Sequence, residues 1–315
     1  MYTTLIEPAE LAAPLARNAI VASNRAASDQ AALDWAVLDC RFDLARPDWG
    51  ASAYAAGHIP HALYAHLDHD LSGAISAQTG RHPLPTPEQL AATLGQWGID
   101  RTVQVVAYDQ GNGAYAARLW WLLRWLGHPY VAVLNGGFAA WQQAGLPVDT
   151  GVTQRDRRTF VPRREAGQVV TTAELESALR AGELASGKSM LVDARAADRF
   201  AGENETIDPV AGHIPGAHNH PFARNLDSQG RFLPAGELRK RWGATLGDAA
   251  HEAKHVIAMC GSGVTACHNL LALEIAGLPG ARLYAGSWSE WIRAPQRALE
   301  RGSQKSHPGS RDTLV

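Results

Sequence analysis

Cys260 closes the apolar run VIAMC and opens the loop CGSGVT, after which a helical pattern starts at once. Two glycines within four residues let a backbone turn its N–H groups inward, making a nest for an anion. The helix that follows adds the positive end of its dipole. A thiol at such a point favours the thiolate, which is the nucleophilic form. The competing reading is a small inert cysteine at a strand end, a common place for that residue. The two glycines tip the balance toward a reactive thiol. The other cysteines, Cys40 and Cys267, read as buried structural thiols. No CxxC or HxxxH accompanies any of the three, so neither a metal site nor a disulfide framework is expected.

The elements that must hold this loop recur twice along the chain. AVLDCR (36–41) and YAAGHIPHA (54–62) return as MLVDAR (190–195) and VAGHIPGA (210–217). VVAYDQGNGAYAARLWWLL (105–123) aligns with VIAMCGSGVTACHNLLALE (256–274), and NGGFAAWQQAG (135–145) with AGSWSEWIRAP (285–295). In this alignment Asp109 stands where the second copy has Cys260. Apolar runs at 37–38, 103–108, 131–134, 190–192 and 256–259 predict strands of a buried sheet. They alternate with helical stretches at 114–126, 172–180 and 264–276. That rhythm predicts an α/β fold, two copies of a mainly parallel sheet flanked by helices. The expected domains are 1–150 and 171–297, joined by a polar, basic linker over 151–170, with a polar tail over 298–315 expected to be disordered. Most of the tryptophans, Trp120, Trp121, Trp141, Trp288 and Trp291 among them, read as packing.

Composition narrows the classes of function. The 315 residues are 46% hydrophobic and 19% charged, with a net charge of -2, which argues against a nucleic-acid partner. No apolar run approaches the roughly 18 residues of a membrane span. The first residues lack the basic stretch and apolar core of a secretion signal, so the cytoplasm is the expected compartment.

The two GHIP segments, VDAR, CGSGVTAC and YAGSWSEW together resemble the tandem-domain rhodanese family of sulfurtransferases over nearly the whole chain. The resemblance implies two rhodanese-like domains, the first an inactive copy, and a Cys260 that carries sulfur as a persulfide. It implies that the backbone of Gly261, Gly263, Val264 and Thr265 cradles the terminal sulfur. It also implies a small-molecule sulfur donor, a thiol or cyanide acceptor, a thioredoxin-like reductant as a further partner, and no cofactor. Phosphatases that share such folds close a longer Cys-x5-Arg loop with arginine. Here Ala266, Cys267 and His268 follow instead, which disfavours phosphate chemistry.

Within that family the neutral loop Gly261-Ser262-Gly263 is similar to the branch that uses 3-mercaptopyruvate, whereas the thiosulfate branch tends to carry a basic residue there. Arg199 matches the family's substrate arginine, and a guanidinium can hold a carboxylate with two parallel bonds. The second arginine of mammalian-type relatives has no counterpart in ENETIDPVAGHIP (203–215). Ser262, His58 and Asp48 are expected, from the same resemblance, to form a proton relay across the domain interface. His213, in the matching slot of the second copy, reads as structural. A thiosulfate-using enzyme and a persulfide carrier or redox sensor without turnover are the alternatives.

Overall fold

The computed structural model describes residues 1–23, 34–247 and 253–302. In the first half, β1 (Leu5–Ile6), β2 (Trp35–Asp39), β3 (Ala62–Tyr64), β4 (Gln104–Tyr108) and β5 (Val131–Leu134) make one parallel sheet. Its order is β1-β5-β4-β2-β3. In the second half, β6 (Met190–Asp193), β7 (His218–Asn219), β8 (Val256–Met259) and β9 (Arg282–Leu283) take the order β7-β6-β8-β9, again parallel. A parallel bridge from Val169 to Leu283 occupies the place that β1 holds in the first sheet. The repeat read in the sequence is thus a repeat of topology.

The flanking helices are α1 (Pro8–Ser23), α2 (Trp49–Ala56), α3 (Pro87–Gln96), α4 (Ala116–Trp125) and α5 (Gly137–Gln143) in the first half. The second half has α6 (Thr172–Arg180), α7 (Ala197–Ala201), α8 (Ala235–Leu246), α9 (Thr265–Ile275) and α10 (Ser287–Trp291). Every α4 residue except Arg124 is buried, as are residues 266–273 of α9. A helix that is apolar all round must be covered on all sides. Here each helix lies between its own sheet and the helix of the other half, so one apolar cluster runs through both domains. Among the described residues no helix is long and apolar enough to cross a membrane.

The 151–170 segment has no helix and wraps the first domain. Arg155 and Arg158 both pair with Asp34, Phe160 is buried, and Val170 joins the second sheet through Leu283. Of the stretch 298–315, residues 298–302 are described and are held to the second domain. Glu300 exchanges backbone hydrogen bonds with His213, as Asp149 does with His58. Residues 303–315 lie outside the described residues.

The paired motifs LDCR and VDAR are structural clamps. Asp39 accepts from Arg41 Nε and Nη2 at 2.6–3.0 Å, and Arg41 Nη2 reaches Gly57 O at 2.7 Å. Asp193 and Arg195 repeat this arrangement, with Arg195 on Gly212 O at 2.8 Å. Each clamp ties the end of a strand to the glycine of GHIP. Asp39→Ala would leave the buried Arg41 charge on one carbonyl, and losing one partner of a buried pair costs about 3–5 kcal/mol. The expected outcome is a markedly lower thermal midpoint. Asp43→Ala, at the exposed pair with Arg46, should leave the midpoint close to the wild-type value.

Candidate active site

Between β8 and α9 the chain makes the turn that carries Cys260, whose residue is 2% exposed. The turn is pinned from below by α10. Cys260 N–H donates to Ser287 Oγ at 3.0 Å, Trp288 N–H to Cys260 O at 3.0 Å, and Ser289 N–H to Gly261 O at 2.8 Å. Ser287 adopts φ 53°, a conformation that costs a serine of order 1–3 kcal/mol. The first repeat has Gly137 there at φ 56°. The serine is accounted for by its hydroxyl, which holds the Cys260 backbone. Gly263, at φ 79°, could not be any larger residue, since a Cβ would come within 2.3 Å of Ala285 O.

Gly263 N–H points at Cys260 Sγ from 3.1 Å. Among the described residues the N–H groups of Ser262, Val264 and Thr265 find no protein acceptor. They are open donors around the thiol. The first repeat shows what such a turn binds. Asp109 is fully buried, and its carboxylate accepts from the N–H groups of Gly111, Gly113, Tyr115 and Ala116 at 2.9–3.2 Å. Burial pushes its pKa up, against the pull of those four bonds. The turn of the first copy is an anion nest filled by its own side chain.

Behind the Cys260 turn stands Arg118 of α4, with no exposed surface and, among the described residues, no carboxylate partner. Its guanidinium donates to Gly263 O at 3.2 Å and to His82 O at 3.1 Å, with longer contacts to Leu71 O and Pro83 O. Burial lowers its pKa. A trans peptide points its C=O and N–H in opposite directions. By holding Gly263 O, Arg118 therefore turns the Val264 N–H toward the far side of that peptide.

The structure does not bring Ser262 to His58 or Asp48. Ser262 Oγ meets His82 Nδ1 at 2.7 Å, and His82 Nε2 meets Asp68 Oδ1 at 3.2 Å. Burial lowers the His82 pKa, so the ring is neutral near pH 7. A neutral ring that gives Nε2–H to Asp68 keeps Nδ1 to accept the Ser262 hydroxyl proton. His58 sits elsewhere, its ring stacked on Tyr54 with centroids 3.9 Å apart and its Nδ1 on Tyr54 O at 2.8 Å. His213 makes the same pair of contacts with Phe200. The GHIP histidine is a turn element in both copies, which is why repeat position could not mark it as functional. Asp48 is an exposed residue preceding α2 and touches neither His82 nor Ser262. His82 and Asp68 lie in the irregular segment between β3 and α3, where no periodicity points to them.

Arg199 reaches the site, and a second arginine joins it from the first domain. A Cβ on Gly261 would lie 3.0 Å from Arg81 Nη2 and 3.6 Å from Arg199 Nη2. Arg81 is the neighbour of His82, so a second cation stands beside Gly261 although the 203–215 stretch contains none. Glu205 accepts from Arg199 Nε and Nη2 at 2.8–3.1 Å. Asp208 pairs with Arg81 and, at 3.2 Å, with Arg199. Burial raises the Asp208 pKa although both cations pull it down. Arg81 Nη2 and Arg199 Nη1 have no protein partner among the described residues. A cavity of about 210 Å³, lined by Arg81, Asp208, Ser289, Ile207 and Ile292, opens beside them. A larger one, about 380 Å³, lies along the C-terminal half of α9 and contains no Cys, His or Ser. At 1.5 Å per residue its nearest α9 side chains start roughly 8 Å or more from the Cys260 turn.

Cys267 is fully buried on α9, its Sγ 3.3 Å from Gly263 O, and burial pushes its pKa up to about 12. Cys40 is buried in the first domain, its pKa likewise raised by desolvation. Both are held as neutral thiols.

A model of the rhodanese-like domain matches residues 22–144 and again 171–294. A Pseudomonas aeruginosa protein named provisionally as a 3-mercaptopyruvate sulfurtransferase is 50% identical, over 85% of this chain and 93% of its own. A Mycobacterium tuberculosis protein named provisionally as a thiosulfate sulfurtransferase is 40% identical, over 90% of this chain and 97% of its own. The solved structure of the 3-mercaptopyruvate sulfurtransferase from Leishmania major superposes with a TM-score of 0.77 at 30% identity. It covers 93% of this chain and 76% of that one.

Arg118→Met should test the support behind the loop. It would leave the carbonyls of Gly263 and His82 without their donor, at about 1–3 kcal/mol for each buried group. A fall of at least about 2 kcal/mol in stability is expected from the urea midpoint. Limited proteolysis should also cut the segment between 66 and 86 faster than in the wild type. An unchanged midpoint would mean that Arg118 fills space without joining the domains.

Proposed function

The chain belongs to the rhodanese family, and from that premise we propose that it is a sulfurtransferase that takes its sulfur from 3-mercaptopyruvate. The observation that carries the donor is the Ser262 hydroxyl, bonded to His82 and two residues from Cys260. Loss of sulfur from a mercaptoketone leaves an enolate that must gain a proton on carbon. Loss of sulfur from thiosulfate leaves sulfite, which needs none. A hydroxyl backed by a neutral imidazole is suited to the first reaction.

The donor carboxylate sits across Arg81 Nη2 and Arg199 Nη1, which aims the donor sulfur at Cys260. The Cys260 thiolate attacks that sulfur, the carbon–sulfur bond breaks, and its electron pair passes to the enolate of pyruvate. The proton of the donor thiol moves through Ser262 and His82 to the enolate carbon. The products are pyruvate and a Cys260 persulfide anion, whose terminal sulfur the open N–H groups of Ser262, Val264 and Thr265 can receive. A thiol or cyanide then removes that sulfur and restores the thiolate, with a thioredoxin-like reductant among the acceptors to be tried. Three free cysteines suit the reducing cytoplasm.

Two cations beside Gly261 and the Mycobacterium relative favour thiosulfate as the second reading. A comparison of kcat/KM for the two donors decides between them, with mercaptopyruvate expected to be the better by at least about tenfold. Steady release of pyruvate distinguishes either enzyme from a carrier that takes up one sulfur and stops.

Cys260→Ser should abolish pyruvate release with the fold retained, whereas Cys267→Ser should keep most of it. A Cys260→Ser variant that turns over at the wild-type rate would remove the central assignment. His82→Gln should lower kcat with mercaptopyruvate by about 10²- to 10⁴-fold, the usual range for a proton-transfer group. Its effect on thiosulfate should be much smaller. His58→Gln should lower the melting temperature and leave the kinetics with either donor close to wild type.

A further inference from the structure

Asp208 carries a constraint that the reaction itself does not require. Its side chain is 1% exposed, lies between the two guanidinium groups beside Gly261, and bonds to one nitrogen of each. Glu205 is already divided between Arg199 and Arg195. The ring of charge at the mouth of the site is therefore two arginines against one whole and one shared carboxylate. A ligand finds Arg81 Nη2 and Arg199 Nη1, enough for one carboxylate, since the unpartnered Arg81 Nε is buried.

We propose that Asp208 is a specificity-determining residue, a fixed counter-ion that sets the arginine pair for a singly charged donor and against a doubly charged one. This rests on the reading of mercaptopyruvate as donor. Asp208 repels any anion held by Arg81 and Arg199, and the repulsion scales with the ligand's charge. Being buried, it is screened little by salt. A monoanion feels it once and a dianion twice. Mercaptopyruvate brings one carboxylate, while thiosulfate brings two negative charges into the same space. The wall beside Asp208 is apolar at Ile207, Pro209 and Ile292, while Ser289 and the exposed Arg293 complete the lining of the cavity.

The counter-ion also explains why two cations can be tolerated next to a turn whose other role is to receive a single sulfur anion. Without Asp208 the pair would hold inorganic dianions such as sulfate and block the thiol. A carboxylate that merely positioned the arginines would affect both donors alike. That difference is what the experiment reads.

The test is Asp208→Asn, which keeps the shape and removes the charge. It is measured with both donors after circular dichroism and a melting curve have shown the variant folded. The ratio of kcat/KM for thiosulfate to that for mercaptopyruvate should rise at least about tenfold over wild type. Asp208→Glu should keep the wild-type ratio. A ratio that stays put or falls in a folded Asn variant overturns the proposal. A second measurement needs only the wild-type protein: sulfate and pyruvate as competitive inhibitors against mercaptopyruvate. Sulfate is expected to bind at least about tenfold more weakly, and sulfate binding as tightly as pyruvate overturns the counter-ion role even if Asp208→Asn cannot be folded. Wild-type release of pyruvate is measured first. Its absence overturns the donor assignment and this proposal with it, whereas turnover with an unmoved ratio overturns the proposal alone.

Discussion

A guanidinium with no exposed surface and no carboxylate beside it is a costly thing to place in a core, and the active site is arranged around one. Arg118 is kept there by carbonyls, and those carbonyls belong to both halves of the chain. Gly263 is on the turn that holds Cys260. Leu71, His82 and Pro83 are on the segment that brings the relay and Arg81. One buried cation thus fixes the distance between the nucleophile of one domain and the polar groups of the other. Removing either set of carbonyls would strand the charge, so the two halves cannot relax apart piecemeal. The domain that lost its cysteine supplies Asp68, His82, Arg81 and Arg118. Its own turn carries Asp109 in place of a cysteine, and its side chains stand beside the turn of the other copy.

The duplication explains how such a division could arise. Each repeat has a segment after its second strand pair that leaves its own sheet and covers the other repeat's turn. In the first repeat this is the stretch around 66–86, which lays Arg81 and His82 against Cys260. In the second it is the stretch around 220–234, which lays Phe232 against Gly113, 3.0 Å from where a Cβ would stand. His268 Nε2 meets Asn112 O at 3.0 Å on the same seam, and Phe232 N–H donates to Asn135. The two crossings are related in place but not in chemistry. One brings charge and a proton path to an open nest, and the other brings an aromatic plug to a nest already filled by Asp109. Symmetry was kept in the backbone and lost in the side chains.

The sequence made the frame legible because the frame is periodic. Strands β5 and β8 and helix α6 fall where the apolar runs and the helical pattern place them, and the match of two copies located the turn at Cys260. Arg199 was singled out by the resemblance to the family alone, at ADRF just after VDAR. The relay was not legible. His58 drew attention by belonging to GHIP, but a histidine present at the same slot of both copies reports what the copies share, here a ring stacked on Tyr54 or Phe200. His82 belongs to GRHPLP (80–85), whose counterpart GRFLP (230–234) has Phe232 where the first copy has the histidine. Function that depends on the difference between two repeats is carried by the positions at which matched segments differ.

The same distinction bears on how charge around the thiol should be read from a loop sequence. Gly261-Ser262-Gly263 is neutral, and taken alone it would describe a weakly positive site. In space Gly261 is where two guanidinium groups converge, and its lack of a side chain is what lets them approach. A cation written into the loop at this position would meet Arg81 at contact distance and be repelled by it. The positive charge of the site is therefore delivered from α7 and from the first domain, and only the closed seam between α4 and α9 brings both arms to the turn. Opening that seam would withdraw the proton relay, one arm of the anion clamp and the support of Gly263 in a single motion. The assembly of the site and the packing of the two domains are one equilibrium.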